Sequence, residues 1–427
     1  MKHSYQSGNL FWGSHNLAQL NQEILKELKE KYNYEGCYYL YSQQSFNERI
    51  EKLIKNLSNC EFFYSVKSCS NINILIKLKN YDEIGVDVVS GGELLRANLA
   101  GFKGEKIVFA GVGKTDNEIL LGLQHDILSF HIESISELKN IARLAFSINK
   151  KASIALRLNP NIDVDTHEYI KTAQEENKFG ISENEIQEAL EIIQNSSSLE
   201  IIGLQIHLGS LLFDEGPFIK ALEFLEKIHS QYSALIPKKL EYYSLGGGLG
   251  FDYTASTSNN QTKLFPFEKL MQKIKESNLA VKKIKFEPGR FISAPSGLLI
   301  TKVVYIKNKT NKKILITDSG MTELIRPALY SSRHPIEPLL KKSNNEIKAD
   351  IVGPICESAD FFAKNISVSN IEENDYLAVL HSGAYGSVMI SNYNSRLLVP
   401  EVLLTENTFT IIRKPQTYEQ LFANEEL

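Results

Sequence analysis

Leu17, Leu20, Ile24 and Leu28 recur at helical spacing near the start of the chain, and beyond them short apolar runs alternate with amphipathic stretches. Eight of these runs read as strands, at 61–66, 84–89, 106–110, 127–132, 153–158, 201–207, 241–245 and 283–287. The segments between them, among them GELLRANLAG, SISELKNIARLAF and GPFIKALEFLEKIHSQY, carry helical periodicity and are long enough for right-handed crossovers between parallel strands. Eight strand-helix units predict an α/β fold closed as a (β/α)8 barrel of the TIM type, with a doubly wound open sheet as the structural rival. From about residue 296 the text turns β-rich, as in LLITKVVYIKN, KKILITDSG, YLAVLHSG and FTIIRK, with Gly, Asn and Pro punctuation. The expected organisation is an N-terminal segment over 1–37 packing with the β domain, a barrel over 38–295 and a C-terminal all-β domain over 296–427.

A length of 427 residues fits this division, because single hydrophobic cores stop growing well below it. With 43% hydrophobic and 23% charged residues, the chain has ample material for two cores. A formal charge of −4 gives no electrostatic reason to expect nucleic acid or an anionic membrane, so a small molecule is the expected partner. Cys37, Cys60, Cys69 and Cys356 lie far apart without paired spacing, which disfavours a metal site and a disulfide framework and suits a reduced, cytoplasmic setting. The opening residues lack the apolar core of a secretion signal, and no apolar run of about 18 residues is present to span a bilayer.

In a barrel of this type, chemistry sits at the C-terminal ends of the strands. The first run ends in Lys67, the second carries Asp87 and leads to Ser90, the fifth contains Arg157 and the sixth ends in His207. The seventh leads into Gly246, Gly247 and Gly248, and the eighth ends in Glu287, Pro288, Gly289 and Arg290. Taken alone, each has an ordinary explanation. Lys67 reads as a surface lysine, His207 as a core histidine, the glycines as a tight turn and Glu287 as the partner of a nearby base. Taken together they suit an amine nucleophile beside apolar aromatic text, a phosphate-binding turn after strand seven, and a carboxylate that holds a proton on a pyridine nitrogen. In the β-rich part, RPALY at 326–330, CESADFF at 356–362 and SGAYGSVMISNYNSR at 382–396 stand out, although a lone cysteine is more often packing than an acid.

The series YSVKS, GVDVVSGGEL, KIVFAGVGKT, ENKFGI, HLGS, SLGGG, EPGRFI, MTELIRPALY, GPICESAD and GAYGSVMISNYNSR resembles, in order, the motifs of the alanine-racemase-like, ornithine and diaminopimelate decarboxylases. The resemblance covers about residues 38–403 and is strongest to the diaminopimelate branch, which makes L-lysine from meso-diaminopimelate. It implies pyridoxal 5'-phosphate as cofactor, Lys67 as the amine that binds it, Glu287 facing the pyridine nitrogen and His207 stacked on the ring. Asp87, Ser210, Gly246, Gly247, Gly248, the run Glu287, Pro288, Gly289 and Arg290, and Tyr385 would surround the cofactor. Cys356 would return a proton after carbon dioxide leaves, and Arg290, Arg326, Tyr330, Glu357 and Tyr385 would hold the substrate. Two arginines suit a distal carboxylate, since guanidinium contacts to that group are bidentate. The resemblance also implies a homodimer in which Cys356, Glu357 and Tyr385 serve across the interface.

The chain departs from the pattern at Ser68 and Cys69, where an Ala-Asn pair is usual, at Leu211 in place of glutamine, and at Ala359 in place of glycine. A relative acting on another amino acid with a distal carboxylate, of the carboxynorspermidine or siderophore type, remains the alternative enzyme. Retention of Lys67, Glu287, His207 and Cys356 argues against a non-catalytic regulatory homologue. The CES motif argues against a racemase, which uses a tyrosine opposite the lysine.

Overall fold

The structure is a computed structural model that describes residues 1–162, 178–257, 263–277, 281–343 and 345–426. Two compact units make up the chain: Ile50–Phe251 with Leu264–Phe291, and Met1–Arg49 with Asp252–Lys263 and Ile292–Leu427.

The first unit is a closed barrel of eight strands: β1 (Cys60–Ser65), β2 (Ile84–Val88), β3 (Ile107–Phe109), β4 (Ser129–Ile132), β5 (Ala152–Arg157), β6 (Leu199–Gln205), β7 (Leu240–Ser244) and β8 (Val281–Phe286). Neighbouring strands pair in parallel all the way round, with β8 closing on β1 through Ile284 opposite Cys60 and Phe286 opposite Phe62. Strands such as IGVDV are buried at every position, as expected where helices cover the outside and side chains fill the inside. All eight anticipated runs are strands, with ends shifted by at most two residues.

Local sequence explains where the helices start. Ser90 accepts from the Glu93 N–H at the start of Gly91–Leu99, Ser134 from the Glu137 N–H at the start of Ile135–Ser147, and Thr115 forms a full capping box with Glu118. Each is a Ser/Thr-x-x-Glu pattern on the loop between a strand and the helix that follows it, which fixes where that helix starts.

In the second unit the helix Leu17–Tyr32 is capped by Asn16 and ends at Asn33 in the left-handed conformation. Its apolar face, Leu17, Leu20, Ile24 and Leu28, forms one core with Trp12, Leu298, Ile300 and Leu380. The strand Tyr38–Ser42 pairs antiparallel with Gly297–Asn308 and parallel with Glu401–Leu404, so residues 38–49 lie in the β-rich unit and the barrel begins only with β1. The text YYLYS is as apolar as a barrel strand, and its partners lie some 250 residues or more further along, so no local pattern distinguishes the two settings.

Ile24 is fully buried, so Ile24→Ala is expected to destabilise the protein by about 2–5 kcal/mol through lost burial and the cavity left behind. Leu99→Ala, on a side chain 71% exposed, should stay within about 0.5 kcal/mol. Urea unfolding of both variants checks the pair; equal effects would contradict this account of the core.

Candidate active site

Because every barrel strand runs the same way, the residues that follow them share one rim. Lys67 lies half-buried in the single 3-10 turn Val66–Ser68 directly after β1. That turn is fastened from below. Ser68 Oγ is 2.9 Å from the Ser65 carbonyl oxygen, and the Tyr64 hydroxyl donates to the Cys69 carbonyl at 3.0 Å. Ser68 and Cys69, two of the departures from the family pattern, are both buried parts of this support.

Asp87 in β2 and Glu287 after β8 are both buried, with Lys67 close enough to act electrostatically on each. Ser65 Oγ donates to Asp87 Oδ2 at 2.8 Å, while Asp87 Oδ1 has no hydrogen-bond partner among the described residues. Glu287 is gripped on both oxygens: Ser244 Oγ donates to Oε1 at 2.6 Å and Gln205 Nε2 donates to Oε2 at 3.0 Å. Burial, with the neighbouring Asp87 adding to it, pushes the Glu287 carboxyl up to about 7, against the pull of these two donors and Lys67. Asp87 is raised for the same first reason, burial. A carboxyl near neutrality on a barrel rim is suited to holding a proton against a basic ring nitrogen.

His207 follows β6 and is held neutral, its affinity for a proton pushed well below the usual value by burial and then by Lys67 and Arg157. Its Nδ1 accepts from the Gly247 N–H at 3.0 Å, so the ring carries its proton on Nε2. The glycine turn is required by this packing. Gly246 has φ +66°, a side chain there would run into the Ile206 carbonyl, and a Cβ at Gly247 would sit 2.5 Å from the Glu287 carbonyl oxygen. Gly289 packs its α-carbon face against Ser65 and Ser68, where an added Cβ would meet both side chains at 3.0 Å. Pro288 accepts from the Ser65 N–H at 3.3 Å, and Arg290 Nε donates to Ser210 Oγ at 3.2 Å. Leu211 carries φ +62°, a left-handed conformation that a leucine adopts at a cost.

The barrel therefore gathers Lys67, Asp87, His207, Ser210, Gly246, Gly247, Gly248, Glu287, Pro288, Gly289 and Arg290 around one end. These residues fit pyridoxal phosphate: an amine, a flat neutral ring, a proton-holding carboxyl and a turn stripped of side chains. Arg157 pairs instead with buried Glu133, whose other oxygen accepts from the Gly180 N–H at 2.9 Å, and so serves the scaffold. The ENKFGI motif lies only partly within the described residues.

Ser65, Gln205, Ser244 and His131 were not singled out from the sequence. His131 Nδ1 lies 3.7 Å from Glu287 Oε1, and its Nε2 is 3.1 Å from the Tyr242 hydroxyl, which in turn is 2.5 Å from Ser129 Oγ. Alternation within a strand marks such residues as inward-facing, but their pairing is set by barrel closure. Glu93 was missed too. It is raised to about 7 by burial and accepts from the Val89 N–H at 2.9 Å, and the Ser-x-x-Glu pattern was its only signal.

The β-rich unit carries Arg326, Tyr330, Cys356, Glu357 and Tyr385. Of the four cysteines Cys356 alone is exposed, and its N–H donates to Asn394 Oδ1 at 3.2 Å. Asp360 anchors its loop, accepting from the Ile355 N–H at 2.7 Å and the Met321 N–H at 2.6 Å. Arg326 is buried on the short helix Arg326–Tyr330, Tyr330 is half-buried at the end of that helix, and Tyr385 has φ +55°. Glu357 Oε1 accepts from the Ser358 N–H at 2.8 Å. Among the described residues no group of His, Cys, Asp or Glu is placed to hold a metal ion, and no helix is long and apolar enough to cross a membrane.

The pyridoxal binding domain of the pyridoxal-dependent decarboxylases matches residues 43–294. Diaminopimelate decarboxylase of Aquifex aeolicus is 38% identical over 419 residues, 98% of this chain and 96% of its own. That of Haemophilus influenzae is 38% identical over 424 residues, 98% of this chain and 99% of its own. Among solved structures, diaminopimelate decarboxylase from Helicobacter pylori complexed with L-lysine superposes with a TM-score of 0.85 at 38% identity, covering 93% of this chain and 98% of that one.

The raised Glu287 has a thermodynamic signature. A carboxyl whose folded pKa exceeds its ordinary 4.5 stabilises the fold below that pH, and the contribution is lost as pH rises through about 7. Cofactor-free Glu287→Gln should therefore gain stability over the native protein between pH 5 and 8, on the order of 2 kcal/mol. Urea midpoints at the two pH values test this, and a difference that does not change with pH would contradict the elevated carboxyl.

Proposed function

Because the chain belongs to the family of pyridoxal-dependent decarboxylases, we propose that it converts meso-2,6-diaminopimelate to L-lysine and carbon dioxide, with pyridoxal 5'-phosphate as cofactor. The observation that carries the reading is the near-full-length likeness to a diaminopimelate decarboxylase complexed with L-lysine, in a chain whose barrel rim holds the groups the cofactor needs.

When bound, the cofactor supplies a sink for the electron pair left as carbon dioxide departs. Lys67 Nζ would hold the cofactor at its aldehyde carbon and would yield it to the substrate amine. Glu287, steadied by Ser244 and Gln205, keeps a proton at the pyridine nitrogen, and neutral His207 offers a flat face to the ring. Asp87, Ser210, Gly246, Gly247, Gly248, Pro288, Gly289, Arg290 and Tyr385 line the cofactor. Cys356 Sγ delivers the proton to the carbon that lost its carboxylate. Arg290, Arg326, Tyr330, Glu357 and Tyr385 hold the substrate, with the guanidinium groups on the distal carboxylate and Glu357 on the distal ammonium.

The working form in this reading is a cytoplasmic homodimer in which Cys356, Glu357 and Tyr385 of one subunit serve the barrel of the other. Mixing Lys67→Ala and Cys356→Ala proteins, each strongly impaired, should then restore part of the activity, and no recovery on subunit exchange would contradict a shared site.

Supplying the holoenzyme separately with meso-diaminopimelate, L-ornithine, L-lysine and L-arginine tests the substrate. Lysine and carbon dioxide are expected from the first alone, and release from another amino acid instead would overturn the assignment. Cys356→Ala is expected to lower kcat by about a hundredfold or more while leaving the cofactor absorbance unchanged. Full activity in that variant would remove Cys356 from the proton transfer.

A further inference from the structure

Arg326 is 3% exposed, and the groups around it determine where its charge points. His334, 6% exposed, approaches with Nε2 at 2.9 Å from Arg326 Nη1, and its Nδ1 lies 2.8 Å from the Leu380 carbonyl oxygen. A carbonyl only accepts, so the imidazole proton sits on Nδ1, and Nε2 presents a lone pair to the guanidinium. A protonated imidazole would turn a donor and a like charge toward Arg326. The backbone locks this tautomer in place, because the Leu380 N–H donates in return to the Pro335 carbonyl at 2.8 Å, tying His334 and its neighbour to one residue.

Two other groups pack against the guanidinium. The Tyr253 ring lies under the guanidinium at 4.5 Å and packs edge-on against His334 with centroids 5.2 Å apart, and Ser332 Oγ is 3.3 Å from Arg326 Nη2. His334, Tyr253 and Ser332 thus fix the orientation of the guanidinium, as a positioned receptor for a carboxylate requires.

Resting on the assignment of Arg326 to the distal carboxylate, we propose that His334 is a positioning residue for substrate recognition: its Nε2 lone pair aims the Arg326 guanidinium at that carboxylate. The decarboxylation removes one of the two carboxylates of diaminopimelate, so L-lysine keeps the distal one, whereas 1,5-diaminopentane has the same chain and both amines with neither carboxylate.

Titrating the holoenzyme with both compounds, followed by cofactor absorbance, separates positioning from general damage. His334→Leu is expected to weaken L-lysine binding about tenfold and to raise KM for meso-diaminopimelate similarly, with kcat nearly kept and 1,5-diaminopentane binding unchanged. His334→Gln, which retains one donor and one acceptor, should recover most of the loss. Should His334→Leu fail to fold, His334→Asn decides, since it can keep the Leu380 link but falls short of Arg326, and the same selective loss is expected. Equal weakening of both ligands, or no weakening, overturns the role of His334. Arg326→Gln tells the two claims apart: if it weakens L-lysine while the His334 variants do not, only the present inference fails. Unchanged L-lysine binding in Arg326→Gln overturns the assignment of Arg326 itself.

Discussion

Glu287 and Asp87 are two carboxylates buried in the mouth of one barrel, within electrostatic reach of each other, where water cannot stabilise both charges. The rest of the rim follows from that constraint. Ser244 and Gln205 hold the two oxygens of Glu287, Ser65 holds one of Asp87, and Lys67 supplies opposite charge to the pair. Burial wins over these contacts and leaves Glu287 near neutrality, able to keep or yield a proton. His207 is neutral because the same dry, positively charged surroundings disfavour its protonation. The glycines after β7 are there because His207 and the Glu287 carbonyl lie too near for any side chain.

A closed parallel barrel makes such a site affordable, since strands distant in sequence deliver their terminal residues to one rim on a rigid frame. The β-rich unit contributes another kind of chemistry. It holds an exposed thiol on a loop anchored by Asp360, and a buried guanidinium oriented by His334 and Tyr253. In the proposed reaction the rim would stabilise the electrons left behind, and the β-rich unit's groups would choose the substrate and return the proton.

Much of this was legible in the sequence because it is local. The eight strands and the helices Gly91–Leu99 and Ile135–Ser147 follow from apolar period, and Lys67, Asp87, His207 and Glu287 stand out by their places near strand ends. The residues that tune the site were not legible. Gln205 reads as ordinary strand text in LQIH, and its partner Glu287 lies 82 positions away, a pairing that only barrel closure creates. His334 shows the same limit, since its meaning comes from the Leu380 carbonyl, 46 positions on. The expected barrel boundary at residue 38 falls short of the observed one because the buried text of Tyr38–Ser42 carries no local sign of which sheet it joins. Ser68 and Cys69, departures when read in the motif, are buried support for the Lys67 turn.

In the proposed holoenzyme, Glu287, clamped by Gln205 and Ser244, would keep a proton on the ring nitrogen of the bound cofactor. The most direct measurement is the nitrogen-15 NMR shift of the holoenzyme reconstituted with ring-labelled pyridoxal phosphate. A protonated-pyridinium shift in the native protein that moves to the unprotonated range in Glu287→Gln is the predicted result. An unprotonated ring nitrogen in the native protein would contradict the account.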